Sequence, residues 1–198
     1  ITGLIRTIVL VAVLGSFASR AGDAFAQANQ LPNNIYAIIS AGVLTAVIVP
    51  QIVRESARSD GGQRFISALF TAGVTLLLVI TALATLFAPV LITLYAPDYT
   101  PEQHALATAF AYWCLPQVFF YGLFALIGET LNARRVFGPY AWAPIVNNIV
   151  SIVGFGAFIV LFGGERSDVA DWDPLLIGVY GGVTNLGIAA QTVVLVAF

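Results

Sequence analysis

Asp23, Gln27, Gln30 and Asn34 recur at i, i+4, i+7 and i+11, the spacing that places side chains on one face of a 3.6-residue helix. They lie in an otherwise apolar stretch, where a polar group costs free energy unless it is paired or hydrated. A carboxylate and three amides in one stripe can serve two ends. They can hydrogen-bond to neighbouring helices, at roughly 0.6 to 2 kcal/mol per contact, or they can line a hydrated cavity. Four such groups on one face exceed what helix packing needs, which favours the cavity. Pro32 interrupts the same stretch, removing a backbone donor and favouring a kink, and freed carbonyls at membrane depth are tolerated beside a cavity or another helix.

Arg6 is set among Leu4, Ile5, Ile8, Val9 and Leu10. With the helix ending near Phe17, Arg6 lies about 16 Å from that end at about 1.5 Å per residue, close to mid-membrane. Such a guanidinium either snorkels to the headgroups or is an interior cation for an anionic ligand, because it grips phosphate in a bidentate fork. Further on, Glu129 and Asn132 share a face with Gly122 and Ala125, and Glu129 is about one turn from Arg134 and Arg135. An ion pair near the membrane boundary is the plainer reading there, a proton-carrying carboxylate the sharper one. Pro144, Asn147, Asn148 and Ser151 predict a second polar kink, and Gly178 and Gly182 form a G-x-x-x-G pair suited to close helix approach. Trp113, Trp142, Trp172, Tyr95 and Tyr99 fall where amphipathic rings settle at membrane interfaces.

Catalytic signatures are missing from the sequence. It has no Gly-rich phosphate loop, no H-E-x-x-H and no G-x-S-x-G, and His104 has no Ser or Cys nucleophile beside it. Cys114 is the single cysteine and His104 the single histidine, which argues against a disulfide framework, a zinc site or a resident cofactor.

The elements that must position these residues follow from composition. Of 198 residues, 59% are hydrophobic and 9% charged, against about 45–50% and about 25% in an ordinary soluble domain. The chain therefore buries itself in lipid, and its scattered arginines, at a net charge of −2, form no basic face for nucleic acid. Stretches of about 20 apolar residues predict six spanning helices, over 1–17, 24–53, 65–95, 105–131, 140–162 and 175–198. The fold class expected is an all-α polytopic membrane protein. Ile1 opens within an apolar stretch, which predicts a truncated first span. Arg54, Arg58 and Arg64 occupy the second loop and Arg134 and Arg135 the fourth, whereas the third and fifth loops are acidic. Because Lys and Arg stay cytoplasmic in short loops, this alternation predicts a cytoplasmic N-terminus. Arg20, in an outer loop, is a mild exception.

A family resemblance rests on further runs. Gly3-Leu4-Ile5-Arg6, Gly15, Asp23-Ala24-Phe25, Leu31-Pro32-Asn33, Gly42 and Val49-Pro50 resemble the first two helices of the MurJ (MviN) lipid II flippases. Leu115-Pro116, Phe120-Tyr121-Gly122-Leu123, Leu131-Asn132-Ala133-Arg134-Arg135, Phe137-Gly138 and Ala143-Pro144-Ile145-Val146-Asn147-Asn148 resemble the fourth and fifth. The resemblance implies the N-terminal lobe of a fourteen-helix, two-lobe transporter of the multidrug/oligosaccharidyl-lipid/polysaccharide exporter superfamily, with the C-terminal lobe beyond Phe198. It implies alternating access of an undecaprenyl-pyrophosphate-linked substrate, in contact with membrane lipids. It also places Arg6 at the family's cavity arginine, Asp23 at its acidic residue opening the second helix, and Asn33 in its Pro-Asn motif. Where many members carry two arginines and a Glu-Gly after that motif, this chain has Tyr36, Ala37 and Ala41 before Gly42, so the local cavity is less charged. The implied substrate-binding set is Arg6, Asp23, Gln27, Gln30, Asn33 and Asn34. A carrier of another polysaccharide-lipid or of drugs would share the fold, and a non-transporting membrane scaffold would use the amide stripe as interhelical glue.

Overall fold

The computed structural model describes residues 1–40, 63–133 and 135–197, and every described element is helical. In order these are α1 (Thr2–Leu14), α2 (Arg20–Ile39), α3 (Gln63–Leu86), α4 (Ala88–Tyr95), α5 (Pro101–Cys114), α6 (Gln117–Ala133), α7 (Gly138–Phe162), a 3₁₀ turn (Val169–Asp171) and α8 (Pro174–Val196). The end of the expected second span, with Arg54, Arg58 and the side chain of Arg64, lies outside the described residues, as do Arg134 and Phe198.

Among the described residues three helical stretches are long and apolar enough to cross a membrane: Pro101–Asn132, Gly138–Phe162 and Pro174–Val196. The expected stretch 65–95 is not one rod. Phe70–Leu86 and Ala88–Tyr95 meet at 69°, beside Pro89, which has no N–H for the carbonyl four residues back. The stretch 105–131 is likewise interrupted, at Leu115 and Pro116, where the backbone closes tighter i+3 bonds from Val118 N to Leu115 O (3.0 Å) and from Phe119 N to Pro116 O (3.2 Å). In α2, by contrast, helix continues through Pro32.

Helix starts at one end of the molecule are written in short capping signals. Ser19, Thr100 and Asp173 accept from the N–H groups of Gly22 (3.0 Å), Gln103 (3.3 Å) and Leu176 (2.8 Å), and Pro101 and Pro174 open their helices where a missing N–H costs nothing. The loop from Gly163 to Asp173 crosses this same end. Its Glu165 and Arg166 N–H groups donate to the carbonyls of Ala12 (3.0 Å) and Val13 (2.7 Å), closing the terminus of α1, and its Ser167 carbonyl accepts from Ala21 at the start of α2 (3.2 Å). Gly15 ends α1 at a φ of 72°, a left-handed conformation that a Cβ would strain.

The core just inside this end is aromatic. Tyr180 of α8 lies 4.9 Å from Phe25 of α2, 4.8 Å from Phe155 of α7 and 5.3 Å from Trp172, while Phe110 of α5 stands edge-on to Trp172 at 5.0 Å. The Tyr180 hydroxyl donates to the Leu10 carbonyl (3.1 Å) and so binds α1 into the cluster. Trp172, expected to anchor at an interface, is instead buried here and donates to the Arg166 carbonyl. Trp142 does remain exposed. Outside the core, Leu4, Ile8, Val153, Val160, Leu161 and Val193 present an apolar surface, which in a spanning bundle is the surface that meets acyl chains.

Candidate functional site

A cavity of about 280 Å³ opens between α1 and α2, lined by Arg6, Thr7, Leu10, Phe17, Phe25, Ala26, Asn29, Gln30 and Asn33. Measured along the helices at about 1.5 Å per residue, Arg6 is about 12 Å inside the Leu14 end of α1 and Asn29 about 13 Å inside the Arg20 end of α2. The guanidinium and the amides therefore share a depth. Asp23 is only about 4 Å inside the same end, and its carboxylate is already engaged. Tyr99 donates to it at 2.7 Å and Gln103 Nε2 at 3.4 Å. Burial first, and then the hydrogen bond to Asp23, push the Tyr99 hydroxyl well above its ordinary pKa, so it stays a donor throughout the neutral range. Asp23 thus fastens α2 to the loop before α5, alongside the bonds from Gln103 Nε2 to the Arg20 carbonyl (3.2 Å) and from Arg20 to the Thr100 hydroxyl (2.8 Å).

Of the residues expected at the site, the structure brings Arg6, Gln30 and Asn33 together around the cavity and leaves Asp23, Gln27 and Asn34 off its wall. At 100° per residue, the cavity-lining positions Ala26, Asn29, Gln30 and Asn33 centre roughly 80° around α2 from the stripe formed by Asp23, Gln27, Gln30 and Asn34. Only Gln30 belongs to both. Asn29, absent from the expected set, lines the wall, and periodicity counted from Asp23 could not find it.

The electrostatics of the cavity are one-sided. Among the described residues no carboxylate stands within the 4.0 Å of an ion pair with Arg6, and the nearest candidate in sequence, Asp23, is held elsewhere. A guanidinium cannot shed its charge, so the arrangement offers a fixed cation, flanked by amides, to an anion of a size that about 280 Å³ can admit. A larger cavity, about 460 Å³, lies between α3, α6 and the end of α8 and is walled by Phe70, Val74, Leu123, Ile127 and Leu195. Its hydroxyl, Thr130, is committed to the Leu126 carbonyl at 2.8 Å, so it has little to offer a polar headgroup.

Comparison with known proteins agrees with this architecture. The family model described as "Lipid II flippase MurJ" matches residues 11–198. A "Probable lipid II flippase MurJ" of Rickettsia prowazekii (strain Madrid E) is 30% identical over 166 residues, which is 82% of this chain and 32% of that protein. A protein of the same description from Buchnera aphidicola subsp. Baizongia pistaciae (strain Bp) is 27% identical over 184 residues, 91% of this chain and 35% of that one. The chain thus spans about a third of the length of these curated relatives. A solved structure, "Lipid II flippase MurJ, inward closed conformation", superposes with a TM-score of 0.71 at 20% identity, covering 99% of this chain and 39% of that one, a likeness of fold. The chain, an all-helical membrane lobe with a cationic cavity between its first two helices, belongs to the MurJ lipid II flippase family.

Proposed function

We propose that this chain is the N-terminal lobe of a transporter that carries the lipid-linked peptidoglycan precursor, lipid II, from the inner to the outer face of the bacterial cytoplasmic membrane. The observation that carries the reading is Arg6, a permanent charge beside an amide-lined cavity, without a protein carboxylate to neutralise it among the described residues. A pyrophosphate supplies that missing counter-charge and suits the guanidinium fork. Gln30 and Asn33 solvate the sugar headgroup while the lipid tail stays in the bilayer. The reading is one of transport by alternating access between this lobe and a second one, without bond chemistry. A carrier of cationic drugs would call for an acidic cavity, and the carboxylate closest in sequence, Asp23, is bound to Tyr99 and Gln103 instead. The test is complementation: the full-length protein is expected to sustain a strain depleted of its own lipid II flippase. Failure to do so at normal membrane abundance would sink the proposal.

The proposed orientation has the N-terminus in the cytoplasm and the loops Ala96 to His104 and Gly163 to Pro174 outside. It is supported by the gathering of the α1–α2 turn, the Tyr99 loop and the Gly163–Asp173 loop at one end, with the acidic loops among them. In a full-length protein lacking Cys114, a cysteine placed at Ser167 is expected to react with an impermeant thiol reagent on intact cells, and one placed at Ser59 is not. The reverse pattern would invert the topology.

A further inference from the structure

Behind Asn29 the polar wall of the cavity continues into hydrogen bonds that the binding of an anion does not itself require. Gln117, fully buried at the start of α6, donates from Nε2 to Asn29 Oδ1 at 3.4 Å. Its Oε1 accepts from the Tyr121 hydroxyl at 3.2 Å, one turn further along α6. An asparagine facing a cavity can present either its carbonyl or its –NH2, since the terminal torsion is broad and nearly two-fold. Here the carbonyl is taken from behind by Gln117, so the two N–H donors of Asn29 face the same space as Arg6. Gln117 could turn likewise; in the structure its Oε1 takes the Tyr121 proton, which leaves Nε2 for Asn29.

We infer that Gln117, held by Tyr121, is a positioning residue that orients the Asn29 carboxamide so that its –NH2 faces the space beside Arg6 and favours a diphosphate over neutral or cationic headgroups. With the amide reversed, a carbonyl oxygen would face the ligand's oxygens and repel them. The inference rests on the reading of the cavity as the diphosphate site.

The test measures binding of farnesyl diphosphate to the full-length protein in nanodiscs, with farnesol as the uncharged control and inorganic pyrophosphate as competitor. Gln117→Met, which keeps the length and loses the amide, is expected to weaken binding about tenfold, the size of one hydrogen bond to a charged group. In an Asn29→Ala background the same substitution is expected to change nothing, because Gln117 acts through Asn29. A role in packing alone would show the same loss in both backgrounds and overturn the inference, as would no loss in the parent. Tyr121→Phe leaves every cavity-lining side chain in place and carries the same test should Gln117→Met fold poorly, with a loss of about threefold expected in the parent and none in Asn29→Ala. Pyrophosphate is expected to compete and farnesol to bind weakly; farnesol binding as tightly as its diphosphate would overturn the inference. Arg6→Ala separates the two levels: undiminished binding there breaks the reading of the cavity itself, whereas a loss there without the Gln117 effect breaks only the role of Gln117.

Discussion

Replacing Arg6 with alanine is expected to abolish complementation of a flippase-depleted strain while leaving the full-length protein folded and inserted at normal abundance. Two charge-assisted hydrogen bonds to a diphosphate contribute about 1.5–3 kcal/mol each, so affinity should fall by at least about a hundredfold at roughly 1.4 kcal/mol per factor of ten. Abundance should hold because the guanidinium has no ion-pair partner among the described residues, and deleting it orphans no buried carboxylate. Had Asp23 been its partner, Arg6→Ala would strand a carboxylate and destabilise the lobe; the bonds from Tyr99 and Gln103 remove that outcome. Arg6→Lys should restore activity only in part, since an ammonium keeps the charge and loses the fork. Complementation scored beside membrane abundance decides the matter, and full activity of Arg6→Ala at normal abundance would remove Arg6 from the site.

The second large effect is steric. Gly178, Gly181 and Gly182 of α8 face Trp113 of α5, but a Cβ at Gly181 would stand 2.5 Å from Trp113 Cβ, whereas one at Gly182 would have its nearest neighbour at 3.8 Å. Trp113 Cβ cannot retreat without its backbone, so Gly181→Ala must push α5 and α8 apart. Overpacking of this kind costs about 1–3 kcal/mol, in a bundle where close packing, rather than an apolar driving force, holds helices together. Gly181→Ala is expected to lower both thermal midpoint and membrane abundance, and Gly182→Ala to match the parent. The opposite ranking would restore the G-x-x-x-G register read from Gly178 and Gly182.

That register shows how far sequence carries. The all-α membrane class was legible from composition, because nothing else buries so many apolar residues. Polar residues worth attention were legible too, since hydrocarbon penalises each of them. Which neighbour each polar side meets was not. Helical period groups Asp23 with Gln27, Gln30 and Asn34, yet α2 is polar around much of its circumference and is shared among α1, α4, α5 and α6. One side meets α1 at the cavity, while Asp23, near the helix start, meets the Tyr99 loop. Asn29 was therefore passed over, although it stands level with Arg6. Pro89 and Pro116 were visible as prolines, but whether a helix bends, breaks or continues through one, as α2 does at Pro32, depends on whether neighbouring groups take up the freed carbonyl. Trp172 was misread because an indole near a membrane boundary can turn outward to headgroups or inward to an aromatic cluster, and Phe110 and Phe158 decide that choice only in three dimensions.

The loop between Gly163 and Asp173 also has a meaning in time. The carbonyls of Ala12 and Val13 are closed by the amides of Glu165 and Arg166, which leave the ribosome some 150 residues later. At about 5–20 residues per second that is a wait of roughly 8–30 s, through which the Leu14 end of the first helix lacks these two partners. A nascent chain that ends before Gly163 has already made α2 and α7, against which α1 packs, with Asn148 of α7 donating to the Thr2 hydroxyl, but the carbonyls of Ala12 and Val13 still lack their partners.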